Sequence, residues 1–270
     1  MNASYKSLQR TLIRIATFIL IYIVCGIFLS LIIDRYIDLK DEFALYISIV
    51  ATGIISIALA HVFDHKVVRE GFSVNMASTQ CAMGFCLATG LIGLGSLLIY
   101  LTGNIQWLSS TTGMTSLAAM VLFFAWIAFY EELVFRGVVM KQLMRSTNQW
   151  TALIISAGIF ALFHSLNPNT GFIAILNIFL GGILIGGCYL HQRSLWLPFS
   201  FHFAWNFVQG PILGYKVSGL EFPALLSQQL TGNDMLTGGQ FGFEGSIIQT
   251  VVVLIGIIIL LPSVPKTNSL

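Results

Sequence analysis

Three short stretches place acid–base groups where the surrounding residues are apolar. "WIAFYEELVFRGVVM", residues 126–140, carries Glu131, Glu132 and Arg136; "FALFH" ends on His164; "HFAWN" runs from His202 to Asn206. An ionisable side chain in the bilayer core costs about 2.5–3.5 kcal/mol on insertion scales, so such groups face the bundle interior and mark function. Glu132 and Arg136 stand four apart, which stacks them on one helix face with the carboxylate N-terminal to the cation. Glu131 is rotated by about 100° from Glu132 and cannot share that geometry. One glutamate is therefore paired and its neighbour is left free.

The free carboxylate beside an imidazole, in a low-dielectric pocket, is equipped to activate water, because burial raises a carboxyl toward the range of a useful base. A second histidine with an Asn carboxamide can donate hydrogen bonds to a developing oxyanion. Together they suit amide hydrolysis without a covalent intermediate. No Ser or Cys has a comparable setting, since His164 and Ser165 are helix neighbours pointing about 100° apart. The competing reading gives each polar group only a helix-packing hydrogen bond. His61 and His65 also share an i, i+4 spacing that can bind metal, but no third ligand is in view and they read as interfacial residues, as does His191.

These groups need helices to hold them, and the composition supplies them. Hydrophobic residues make up 56% of the chain and charged ones 9%, with a mean hydropathy of +0.86. Soluble domains carry about 25% charged residues. The chain reads as all-α, a single integral-membrane domain over residues 1–270. Apolar runs predict eight transmembrane helices near 11–33, 43–63, 76–101, 115–140, 149–165, 171–190, 195–210 and 246–262, with the chemistry on those between 115 and 210. Measured from span ends at 1.5 Å per residue, Glu131, His164, His202 and Asn206 lie about 15, 21, 10 and 16 Å deep, within one slab of membrane.

Lys6, Arg10, Arg14, Lys66, Arg69, Lys141, Arg145, Arg193 and Lys266 fall on one side of that arrangement. Arg35, Lys40 and Lys216 fall on the other, with Asp34, Asp38, Asp41, Glu42, Glu221, Asp234 and Glu244. The positive-inside bias predicts a multi-pass protein of the cell membrane, bacterial plasma membrane by type, with both termini cytoplasmic. The basic start and first apolar run read as a first span, because no small-residue cleavage site follows promptly. Cys25, Cys81, Cys86 and Cys188 read as small buried hydrophobes, without a CxxC pair. No basic run suggests nucleic acid. The Gly-rich connection from Gly210 to Gly245 is either a surface loop or a segment folded back over the helices.

The ordered trio "EELVFRG", "FALFH" and "HFAWN" resembles the EExxxR, FxxxH and HxxxN motifs of the CPBP family, which holds type II CAAX prenyl proteases and bacteriocin-processing or immunity proteins, also called Abi proteins. The resemblance covers 131–206; the later "TGGQFGFEG" is similar to a bacterial branch that more often has Pro in place of Phe243. It implies an intramembrane endopeptidase acting on a peptide or protein substrate at the lipid bilayer. Glu131 would be the general base assisted by His164, His202 and Asn206 the oxyanion site, and Glu132 with Arg136 the support of the pocket. It implies a glutamate-dependent enzyme without a cofactor, although two histidines and a glutamate make zinc possible; HExxH is absent. The alternatives are a zinc-dependent version, a non-enzymatic immunity or regulatory protein, or a transporter, for which the absence of a repeat is unfavourable. The substrate, its prenylation and the oligomeric state are not legible.

Overall fold

The computed structural model describes residues 3–36, 42–74, 76–110 and 112–265. In chain order they form α1 (Ala3–Tyr36), α2 (Glu42–Phe63), the short α3 (Val67–Gly71), α4 (Ala77–Leu101), strand β1 (Ile105–Ser109) and α5 (Met114–Glu132). The last runs on through a π-helical stretch, Leu133–Met140, into α6 (Lys141–Met144). Then come α7 (Gln149–Phe163), α8 (Phe172–Gln192), α9 (Trp196–Phe207) with a π-helical extension Val208–Ile212, β2 (Leu226–Leu230), α10 (Asp234–Thr237) and α11 (Ile247–Leu260).

The protein is an all-α, polytopic helical membrane protein, with one two-stranded ribbon among the described residues. Among the described residues five helical stretches are long and apolar enough to cross a membrane: Leu8–Ile33, Tyr46–Phe63, Ala77–Leu101, Met114–Met144 and Phe172–Gln192. The other three expected spans coincide with α7, α9 and α11, which are apolar but have 15, 12 and 14 residues. Even with the helical turns that extend α9 to Ile212 and α11 to Ser263, at 1.5 Å per residue these reach at most about 26 Å, against a hydrocarbon core of about 30 Å. Asn148 starts α7 by accepting from the backbone N–H of Trp150 and Thr151, and the helix stops at His164.

Helix α9 sits at the centre, packed on α4, α5 and α8. Its approach to α4 depends on Gly84, where a Cβ would lie 2.6 Å from the Leu197 carbonyl oxygen and 2.8 Å from the Phe201 nitrogen. The outer helices show the converse pattern: α1 exposes Leu20, Phe28 and Leu31, the surface expected toward lipid. The cysteines correct one expectation. Only Cys188 is buried; Cys25 and Cys81 are half-buried and Cys86 is exposed, because an apolar side chain on a lipid-facing helix has no need of the interior.

One end of the bundle gathers charges from α1 and from two connections. Arg14 donates to the Phe63 carbonyl at 2.7 Å, Lys141 pairs with Asp64 at 3.3 Å and Glu70 at 2.8 Å, and Arg145 reaches Asp64 at 3.3 Å. Partial burial would raise the Asp64 carboxyl, but Lys141, the Lys66 N–H and Arg145 outweigh it and hold it below its ordinary range. The orientation argument also used Asp38, Lys40, Asp41 and Lys266, which lie outside the described residues.

At the other end β1 and β2 pair antiparallel, Ile105 opposite Leu230 and Ser109 opposite Leu226. Of the two forms left open for the Gly210–Gly245 connection, the chain takes the second and folds back, burying Tyr215, Val217, Phe241 and Phe243. Its tight return needs Gly238, at φ +86°, where a Cβ would collide with the Gly242 carbonyl oxygen.

Candidate active site

Glu131 and Glu132 close α5 where the helix widens into π geometry, an irregularity that concentrates at functional sites. Glu132 is fully buried. Its Oε1 accepts from Arg136 Nη1 at 2.7 Å and from His202 Nδ1 at 2.8 Å. Arg136, 1% exposed, spends its other terminal nitrogen on the Gly182 carbonyl of α8 at 3.1 Å and holds its guanidinium 4.8 Å from the Phe160 ring centre. One ion pair thus ties α5 to α8 and α9 and turns the His202 ring.

That ring has a defined proton. A carboxylate only accepts, so Nδ1 of His202 donates to Glu132, and Nε2 is left facing Glu131 Oε2 at 3.8 Å. This separation is beyond a hydrogen bond. Glu131 Oε2 is itself buried with no hydrogen-bond partner, as is Glu132 Oε2, but of the two residues Glu131 is the one in the cavity wall. A buried oxygen without a donor is unusual and asks for an explanation. His164 is fixed in the same sense as His202: its Nδ1 lies 2.9 Å from the Phe160 carbonyl, which can only accept, leaving Nε2 unprotonated in the neutral ring.

Glu131, His164, His202 and Asn206 line one cavity of about 260 Å³. Four groups from three separate helices are therefore brought together. Glu132 and Arg136 are not in its wall; they stand behind Glu131 and His202. The cavity also exposes residues that sequence reasoning did not place there, namely Asn177, Glu244 and Gln249. Glu244 had been grouped with the acids of an outer loop, yet it is 7% exposed and accepts from the Ser218 N–H at 2.6 Å and hydroxyl at 3.1 Å. Asn177 fixes this return by donating to the Glu244 and Ser246 carbonyls at 2.9 and 2.7 Å while accepting from Thr250 at 2.6 Å. The signal available for Glu244 was the similarity of "TGGQFGFEG" to the bacterial branch; Asn177, inside an apolar run, had none.

The donor set does not have the form of a zinc centre. Among the described residues no three His, Cys, Asp or Glu side chains converge as metal ligands, whereas a catalytic zinc takes three protein ligands. His61 and His65 are both exposed.

No curated protein matches the chain. Residues 113–208 match the family model described as type II CAAX prenyl endopeptidase Rce1-like. The match spans less than half of the 270 residues but contains all seven fixed positions of the three motifs. Over this stretch, from α5 to the end of α9, the chain is similar to a CAAX protease domain.

Proposed function

We propose that the protein is an intramembrane endopeptidase of the CPBP/Abi type, cleaving a peptide bond in a membrane-associated or peptide-precursor substrate. The observation that carries this reading is the buried, unpartnered Oε2 of Glu131 in a cavity shared with His164, His202 and Asn206. A water held between Glu131 and Nε2 of His164 loses a proton to Glu131 as its oxygen attacks the scissile carbonyl. The oxyanion forms within reach of Asn206 and His202. With Nδ1–H committed to Glu132, His202 donates to that oxyanion through Nε2–H of the doubly protonated ring. Collapse breaks the C–N bond, and Glu131 returns its proton to the leaving amine.

The supporting role falls to Glu132 and Arg136, which set the ring of His202 from behind the cavity wall. The charge distribution favours both termini on the cytoplasmic side of a bacterial plasma membrane. Peptide precursors, signal peptides and membrane-anchored regulators fit such a site, and a prenylated protein is one member of that range.

Turnover of a quenched fluorescent peptide library by the purified protein in detergent tests the reading. Wild type is expected to cleave and Glu131→Gln to be silent, and a chelator should leave wild type unchanged. Chelator inactivation reversed specifically by zinc would replace the mechanism with a metal-dependent one. Silence of folded wild type toward soluble and lipidated peptides alike would favour the immunity or regulatory role.

A further inference from the structure

A second cavity, of about 720 Å³ and polar in character, lies between the ribbon and the folded-back segment, with Lys216, Glu221, Gln228 and Gln240 in its wall. Phe222 lines this cavity and also the one that holds Glu131. Its ring packs on Phe123 and Phe124, at 5.7 and 4.9 Å between centres. Phe222 is thus the residue that the linings of the polar and the catalytic cavity share.

The wall of the polar cavity includes Leu226, Ser227, Gln228 and Leu230 of β2. The ribbon's register fixes which backbone groups point into it. Ser110 donates to the Leu225 carbonyl and Thr231 to the Asn104 carbonyl, just beyond either end of the ladder. Bonded pairs in an antiparallel ladder recur at every second residue. The Leu225 carbonyl and residues 227, 229 and 231 therefore bond toward β1, the Leu225 N–H being donated instead to the Pro211 carbonyl, and the N–H and C=O of Leu226, Gln228 and Leu230 point away from β1. The Leu226 carbonyl is covered by Gly214. Among the described residues no backbone hydrogen bond beyond the ladder reaches Gln228 or Leu230. A strand edge with free donors and acceptors is a template for another strand.

We infer that the outer edge of β2, at Gln228 and Leu230, captures an extended segment of the substrate by strand addition and leads it past Phe222 to Glu131. The inference rests on the endopeptidase reading and adds to it a peptide-binding subsite with its recognition chemistry: main-chain hydrogen bonds at alternate substrate residues, in a polar groove, with little demand on side-chain identity. Unfolding the substrate locally into a strand also presents its scissile carbonyl free of helical hydrogen bonds.

The test uses the best-cleaved peptide of the fluorescent library and the full-length protein. A series of peptides is made with one backbone amide N-methylated at a time, at positions flanking the cleaved bond. Strand addition is expected to raise KM about 3- to 10-fold at every second position, the worth of one net hydrogen bond, with kcat unchanged. Gln228→Pro should raise KM for the unmodified peptide and abolish the alternation, because proline is tolerated where an edge N–H faces outward. Gln228→Ala, which keeps the N–H, should retain it. Because the peptide series leaves the protein untouched, it stands even where the proline variant fails to fold. Cleavage of every methylated peptide with the same KM, or losses confined to the two residues at the cleaved bond, would overturn strand capture and leave the protease reading intact. Failure of wild type to cleave any peptide would overturn both.

Discussion

Removal of Arg136 tests how the two adjacent glutamates differ. In Arg136→Met the apolar stem is kept against Phe160, but Glu132 loses the donor at 2.7 Å and the Gly182 carbonyl loses the one at 3.1 Å. Glu132 has no solvent exposure, so its charge is stranded. Breaking a buried pair from one side costs about 3–5 kcal/mol, most of it from the uncompensated partner. Adding Glu132→Gln to the same protein removes the stranded charge while leaving an amide oxygen for His202 Nδ1–H. The double variant is expected to regain at least about 1 kcal/mol over the single one. Unfolding in mixed micelles titrated with SDS reads both numbers. A single variant costing under about 1 kcal/mol, the range of exposed pairs, would show that the ion pair does not bind the three helices together.

Gly84→Ala should cost about 1–3 kcal/mol and lower turnover, because the new methyl pushes α4 from the helix carrying His202. Gly90→Ala, on the same helix with nothing within 4 Å of the new atom, should be neutral or stabilising by up to about 1 kcal/mol; a thermal shift assay separates the two. The Asp64 carboxyl is held below its ordinary value, so its contribution is present above the unfolded pKa of about 4 and is lost as pH falls through the folded value. Asp64→Asn should flatten that acid limb of the unfolding midpoint, and an unchanged pH profile would remove Asp64 from the account.

The parts legible in the sequence were those set by apolar length and by fixed spacing. Helices α2, α4 and α8 lie within two residues or so of the expected spans, since hydrocarbon length is read directly from composition. The Glu132–Arg136 pair followed from i, i+4 geometry. Its third member did not: the bond from His202 joins residues 70 apart in the chain, and no local pattern encodes such a contact. The π stretch after Glu132 was also invisible, because "LVFRGVVM" has no proline and is apolar apart from Arg136, so its periodicity cannot separate one helical winding from another. The ribbon was missed for a related reason. "IQWLS" and "LSQQL" are short, neither strongly alternating nor joined by a tight turn, and they pair only because the Gly-rich segment folds back. The same fold-back converts Glu244 from an outer-loop acid into a cavity residue.

The central claim is a division of labour between neighbouring carboxylates, and one paired measurement addresses it: kcat and unfolding midpoint of Glu131→Gln and Glu132→Gln, side by side in the same detergent. The account expects Glu131→Gln to lose turnover with its midpoint held, since that oxygen has no hydrogen-bond partner to lose, and Glu132→Gln to lower the midpoint because Arg136 is left unpaired. Turnover surviving in Glu131→Gln, or equal midpoints for the two variants, would contradict it.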